Sequence, residues 1–276
     1  MILIYGDDSA DEKRQRVSAV AVVVGTERMW NQIEPKWIAR NNEVPFHARD
    51  CETDNGDYAA FPHERNKELY KDLTVMLAES GLIGRGEGID LRAQREIFPD
   101  APDIACYKAF VELLEAVKNV SIHFQLPAKF TFDISSENEY NAGLLYKGIR
   151  DNSPEMLEWF DPEISFAAAK SSARLKVADL LAYEAMKGID HSVGPVFRGR
   201  KSWEALAKTR RFEIEGFGRE WFEDIKKNMP QLEKQSGFNQ NDYTQWLKDR
   251  NRKHSISNLI HFTNWLDKKR RDPNSI

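Results

Sequence analysis
The residues in this chain that could do chemistry are first of all carboxylates at the ends of apolar runs. Asp7 follows the run Ile2 to Tyr5, and Asp133 lies at the end of the alternating run that begins at Lys129. The ends of strands around a topological switch are where open α/β sheets place their ligand sites. Two carboxylates brought together there repel unless something cationic lies between them. Asp179 is an independent candidate, because on a helix from Arg174 to Lys187 it shares a face with Leu175, Ala182 and Met186. Burying a carboxylate unpaired on an apolar face is costly, and a metal ion or a hydrogen-bonded base removes that cost. The alternative is that Asp179 pairs with Arg174 or Lys176, or lies at the margin of the face.

His47 is the other candidate. It is a titratable group in an aperiodic loop, Val44 to Asp57, suited to act as a general acid or to orient a substrate phosphate. Its plainer role is a surface histidine bonded to its own loop. His47, Asp50 and Cys51 do not make a zinc site, since about four ligands are needed and no second Cys/His cluster accompanies them. Gly84, Gly86 and Gly88 match neither a P-loop nor a G-x-G-x-x-G turn, and a helix end followed by a kinked strand explains them more simply.

The elements that must position these groups follow from periodicity. Ile2 to Tyr5 and Val17 to Val24 are expected as strands joined in an antiparallel hairpin. Helices are expected near Arg28 to Ala39, over Phe61 to Ser80, over Ile104 to Val120, over Glu137 to Ile149, and over Arg174 to Lys187 with Gly188 closing it. Strands are expected near Leu82 to Leu91, over Lys129 to Ile134 and over Ile164 to Ala169. Opening strands followed by alternating α and β units imply an α/β fold, a mixed sheet with helices on its faces. Gly194, Pro195 and Gly199 suggest a boundary near 191–200, dividing a core, 1–190, from a helical C-terminal extension, 191–276.

Bulk properties narrow the class. The chain has 276 residues, 41% of them apolar, enough for one large α/β domain with an appendage. Two cysteines, Cys51 and Cys106, are too few for a disulfide framework, and the opening apolar run is too short for a signal peptide, so a cytoplasmic location is expected. No run approaches the roughly 18 apolar residues of a membrane span. The net charge of −4 conceals an asymmetry: Met1 to Phe197 holds 22 basic and 33 acidic residues, Arg198 to Ile276 holds 18 and 11. An acidic core with a basic tail is consistent with a polyanionic partner, although solvated helix faces give similar sums. In the tail Arg198, Arg200, Lys201, Arg210, Arg211, Lys226, Lys227 and Lys268 to Arg271 interleave with Trp203, Phe212, Trp221, Phe222, Trp246 and Trp265. Such aromatics can stack on bases, but helical spacing at Ile256, Leu259, Ile260 and Thr263 favours packing against the core.

Four short stretches carry a resemblance to a known family. Tyr5-Gly6-Asp7-Asp8-Ser9-Ala10 resembles the Tyr-x-Asp-Glu-Ser-Gly opening of the domain-of-unknown-function 3800 family. Phe46-His47-Ala48, Phe132-Asp133 and Leu175-Lys176-Val177-Ala178-Asp179-Leu180-Leu181-Ala182 resemble its later motifs in the same order. The resemblance spans Met1 to Lys187, and the last motif is its strongest part. It implies a ribonuclease H-like, five-stranded core with an acidic site for Mg²⁺ or Mn²⁺. It also makes Asp7, Asp133 and Asp179 the preferred metal ligands, Asp7 as the bridging one, with His47 and Asp8 beside them. Asp8 stands where the family has Glu and Ala10 where it has Gly; Lys176 replacing Gln is expected to be a surface change. A fourth carboxylate is usual in such sites, and Asp8, Asp50, Glu64 and Glu137 are the candidates.

In a two-metal site one ion activates a water and the other stabilises the leaving oxygen of a phosphoryl displacement, and oxygen-only ligands suit Mg²⁺ or Mn²⁺. The expected function is a metal-dependent nuclease or related phosphoryl-transfer enzyme acting on nucleic acid, DNA or RNA. The alternatives are a catalytically inactive module of the same fold that binds nucleic acid or protein, and a metal-dependent hydrolase of small molecules.

Overall fold
The computed structural model describes residues 1–41, 44–99, 104–134, 142–151, 153–168, 172–194, 199–236, 240–250, 262 and 265. Strands β1 (Ile2–Ala10) and β2 (Val17–Thr26) form the expected antiparallel hairpin, paired from Ile2↔Thr26 to Ala10↔Ser18. β1 runs three residues past Asp7, because the reversal happens later. There the Asp11 carboxylate accepts the backbone N–H groups of Gln15, Arg16 and Val17 at 2.9–3.0 Å and closes the loop. Asp7 is therefore interior to its strand.

Helices α1 (Glu27–Arg40), α2 (Ala48–Thr53) and α3 (His63–Glu79) follow, then β3 (Ile83–Asp90), α4 (Leu91–Ile97) and α5 (Ile104–Phe124). β4 (Ala128–Asp133), α6 (Ala142–Asp151), α7 (Pro154–Trp159) and β5 (Ser165–Ala167) lead into the long helix α8 (Ala173–Val193). After it come α9 (Lys201–Ala207), β6 (Phe212–Phe217), α10 (Arg219–Ser236) and α11 (Gln240–Asp249). α8 runs through Gly188, where a stop is expected, and its C-cap is Gly194. The helix expected over Glu137 to Ile149 is α6 from Ala142 onward; Glu137 itself lies outside the described residues.

The sheet is mixed, in the order β5-β4-β1-β2-β3-β6, with β2 antiparallel to its neighbours and the other pairs parallel. Among the described residues it has six strands where five are expected. The sixth comes from the tail region: Phe212-Glu213-Ile214-Glu215 alternates apolar and acidic with the period of two that a strand requires, and it pairs along β3 from Gly84↔Phe212 to Ile89↔Phe217. The segment after residue 191 is thus not wholly helical, and it completes the sheet.

Both faces of the sheet are covered, which is why Val17 to Val24 is apolar throughout. Ala19, Ala21 and Val23 pack with α1, α3 and α8 on one side; Val20, Val22 and Val24 pack with α5 and α4 on the other. The tail aromatics are core as well: Phe212 joins the first side, Phe222 the second, and Trp246 packs with Tyr243 and Phe262 in a separate small cluster. No helix among the described residues is long and apolar enough to cross a membrane.

The glycines of β3 are explained by α8. A Cβ on Gly86 would lie 2.9 Å from the Ala185 Cβ, and one on Gly88 would lie 2.9 Å from the Ile189 Cβ. The strand is bare there so that the helix can approach. Gly86→Ala should destabilise the fold by about 1–3 kcal/mol through overpacking. Ala185→Gly made in that background should cost less than in the parent, a coupling readable from urea unfolding of the four chains. Strictly additive losses would mean that the approach of α8 is not what demands glycine.

Candidate functional site
Strand alternation decides which acids can meet. On β1, Leu3 and Tyr5 turn toward the α8 side, and Asp7 continues that row. On β4, Phe130 and Phe132 face the α5 side, so Asp133 faces the α8 side. The β1–β4 pairing runs to Gly6↔Phe132, which places Asp133 one position on, level with Asp7 on the neighbouring parallel strand. Helix α8 lies across β1, β2 and β3 and delivers Asp179 from above. All three carboxylates are buried, with 6–8% of each residue exposed.

That arrangement is electrostatically costly. Burial raises the Asp7 carboxyl well above its ordinary value, and the charges of Asp179, Asp8 and Asp133 raise it further; the Asp8 N–H, 2.8 Å from Asp7 Oδ1, opposes them. Burial raises Asp179 too, but His47, the Ala48 N–H and Lys176 hold it down. Both carboxyls are thus raised, Asp7 with three neighbouring acids against it and Asp179 with a histidine, an amide and a lysine in its favour. Lys176, expected at the surface, is buried beside Asp179. Arg174 is not Asp179's partner; it is committed to Glu34 at 2.8 Å, Asn31 at 2.9 Å and the Tyr5 hydroxyl at 3.2 Å.

His47 is brought to the same place. Phe46 is fully buried and anchors the chain, His47 occupies the N-cap position of α2, and its side chain makes no cap bond. The cap comes from another helix: Asp179 Oδ2 accepts the Ala48 N–H at 2.8 Å. His47 itself is half exposed, with Nδ1 2.9 Å from Asp50 Oδ2. A polar cavity of about 280 Å³ opens here, walled by Asp179, His47, Arg49, Asp8, Asp11 and Arg14 among others.

The remaining candidates are committed to other partners or lie elsewhere. Asp8, one residue on from Asp7, lines the same cavity as Asp179 and His47 and is ion-paired there with Arg14. Asp50 is taken by His47. Glu64 is exposed on α3, 3.7 Å from Lys67. Cys51 points into the core, where its Sγ donates to the Asn66 carbonyl at 3.3 Å and burial pushes its thiol up to about 12, so it cannot join a zinc site with His47. Among the described residues no group of three or more His, Cys, Asp or Glu is placed to hold a metal ion.

A second polar cluster lies farther along α8, one that spacing does not single out. Glu184 is fully buried and accepts two bonds from Arg200, at 2.6 and 3.0 Å, and one from the Tyr70 hydroxyl. Arg200 also donates to Glu52 at 2.8 Å, and Glu52 accepts the Tyr183 hydroxyl at 2.7 Å. The signal that marks Asp179, an acid inside an apolar helical run, is equally present at Glu184. Arg200 carries no such signal, since it stands among the many cations of the tail.

No protein-family model matches this chain, and no curated protein matches it.

The raised Asp7 carboxyl has a measurable effect on stability. The folded chain keeps a proton there to higher pH than the unfolded chain, whose carboxyl titrates near 3.8. Stability from this group is thus complete at low pH and lost as pH rises through the folded titration. Asp7→Asn should raise Tm at pH 7 without added metal, by on the order of 2–4 °C for each kcal/mol relieved. The gain should disappear near pH 4. A Tm for Asp7→Asn at or below the parent's at pH 7 would contradict the proposed repulsion.

Proposed function
We propose that the chain is a divalent-cation-dependent phosphodiester hydrolase acting on nucleic acid, with Mg²⁺ or Mn²⁺ held by Asp7, Asp133 and Asp179. The observation that carries the reading is the convergence of three buried carboxylates on one side of the sheet, with Asp7 forced toward its protonated form. A proton there takes the place that a cation is suited to fill. The donor set fits such an ion: every candidate ligand atom is a hard carboxylate oxygen. Asp7 Oδ2 and Asp179 Oδ1 make no hydrogen bond among the described residues, leaving one oxygen of each for a ligand. Bound divalent ions supply a water of lowered pKa and neutralise charge at a leaving oxygen.

The chain's own groups have roles beside that. His47, half exposed at the cavity, is positioned to protonate a leaving oxygen or to hold a phosphate. The basic tail supplies the attraction that a polyanion requires. A ribonuclease H-like core is part of the same reading. In its support, β1–β5 form an uninterrupted block, β3-β2-β1-β4-β5, with β6 added at one edge.

One observation favours a second reading, a binding module without catalysis. The described acids are close but do not form a ligand set as they stand, so the cluster would then be a proton-sharing core feature only. Mn²⁺ titration separates the two. Under the first reading wild-type protein binds Mn²⁺ and cleaves DNA, RNA or a hybrid, while Asp7→Asn does neither. Cleavage by neither protein, together with salt-sensitive nucleic-acid binding by both and no heat of Mn²⁺ binding, leaves the module.

Because the ion displaces the Asp7 proton, Mn²⁺ affinity should rise with pH across that carboxyl's titration. Calorimetry at several pH values across that titration, in buffers of different ionisation enthalpy, should register proton release on binding that diminishes as pH rises. Mn²⁺ should also reverse the stability order, raising the Tm of the parent but not of Asp7→Asn. Binding independent of pH and of Asp7 would place the ion elsewhere.

A further inference from the structure
Helices α2 and α8 are joined by two polar contacts with matched spacing. Ala48 N–H meets Asp179, and four residues on along both helices Glu52 meets the Tyr183 hydroxyl. Four residues are about one helical turn, so the helices run side by side in the same direction, fixed at both ends of that turn. The second contact does not stand alone. Arg200, only 12% exposed in its side chain, places one Nη2 between Glu52 Oε1 at 2.8 Å and Glu184 Oε1 at 2.6 Å, while its Nε reaches Glu184 Oε2 at 3.0 Å. Its guanidinium also lies 5.8 Å from the centre of the Tyr183 ring.

Arg200 belongs to neither helix; it is the residue before α9, in the segment that continues into β6. We propose that Arg200 is a positioning residue for the acidic site: by gripping Glu52 and Glu184 together it sets where α2 lies on α8. It thereby sets the place of His47 and the Ala48 amide relative to Asp179. The inference rests on the functional reading above only in calling that place a site. The bidentate fork matters, because a lysine ammonium presents a point charge and cannot span both carboxylates in one plane. The grip also explains why Glu52, although half-buried, keeps its carboxyl below its ordinary value: the charge of Arg200 and the bonds from Tyr183 and Arg200 outweigh its partial burial. Through this residue the docking of the later segment controls the geometry of the earlier one.

The test reads the Ala48 amide by hydrogen exchange in the full-length, metal-free chain, with the Val22 amide inside β2 as the reference for global opening. In Arg200→Met, exchange at Ala48 should rise at least tenfold more than at Val22. Arg200→Lys should recover part of the protection. Equal increases at both amides, or none at Ala48, would overturn the proposal. If Arg200→Met does not fold, Glu52→Gln serves instead. It leaves the Arg200–Glu184 pair in place and should release Ala48 selectively, by about threefold or more; an unchanged Ala48 there also overturns it. Mn²⁺ titration of the wild type is read separately. Selective release of Ala48 with no Mn²⁺ binding would remove the hydrolase reading and leave Arg200's role intact, whereas Mn²⁺ binding with unselective exchange would do the reverse.

Discussion
Beneath α8 the β3 strand offers no side chain at residues 84, 86 and 88, and the helix settles on backbone, within van der Waals reach of Gly86 and Gly88. A helix seated that low brings its underside to the level of the strands' own side chains. Asp179 thereby enters the same layer as Asp7 and Asp133 instead of standing a side chain's length above them. The same depth buries Lys176, Tyr183 and Glu184, so the polar residues of α8 must all find partners within the protein or with a ligand. Interiors pack too densely for such a helix to float between positions, and the electrostatics of the site follow from the seat of the helix.

Two buried polar clusters on one helix then have opposite characters. Around Glu184 the acceptors are saturated by a guanidinium fork and a tyrosine hydroxyl, the condition under which a buried ion pair specifies one arrangement. Around Asp179 there are acids on two strands, and an amide, a histidine and a lysine offset them in part. A fold whose two apolar layers bury most of β1 and β2 can tolerate the second kind of cluster. Strongly perturbed acids in such a setting gather at functional sites, and structural networks perturb acids too; the contrast between the two clusters on α8 is why the acidic one is assigned the chemistry and the arginine one the architecture.

Much of the frame was legible in the residues alone. Long helices with clear periodicity, the hairpin, and the alternation at Phe130–Asp133 follow from local pattern, and local pattern also put Asp179 on a buried face. What local pattern does not contain is pairing between distant segments. The adjacency of Asp7 and Asp133 depends on β1 and β4 lying side by side in parallel, and no spacing encodes that. β6 escapes notice because six residues of alternation lie within a stretch whose charge and aromatics suggest solvated helices. Lys176 looks like a surface residue beside an apolar face, and only the depth of α8 buries it. In sequence Arg200 is one cation of many, and only its two carboxylate partners in the fold distinguish it.

The strand that completes the sheet also governs how the molecule meets its own copies. An open sheet ends in two rows of unpaired backbone groups, each a template on which another chain can add a strand. One rim is β5, three residues long, too short to template much. The other is β6, whose Glu213 and Glu215 are both exposed and ion-paired to Arg85 of β3. A copy approaching this rim would have to strip water from two carboxylates and bring a second pair against them. Joining β6 to β3 thus moves the border of the sheet from a glycine-rich strand to a charged one, a guard against strand-by-strand self-association during folding.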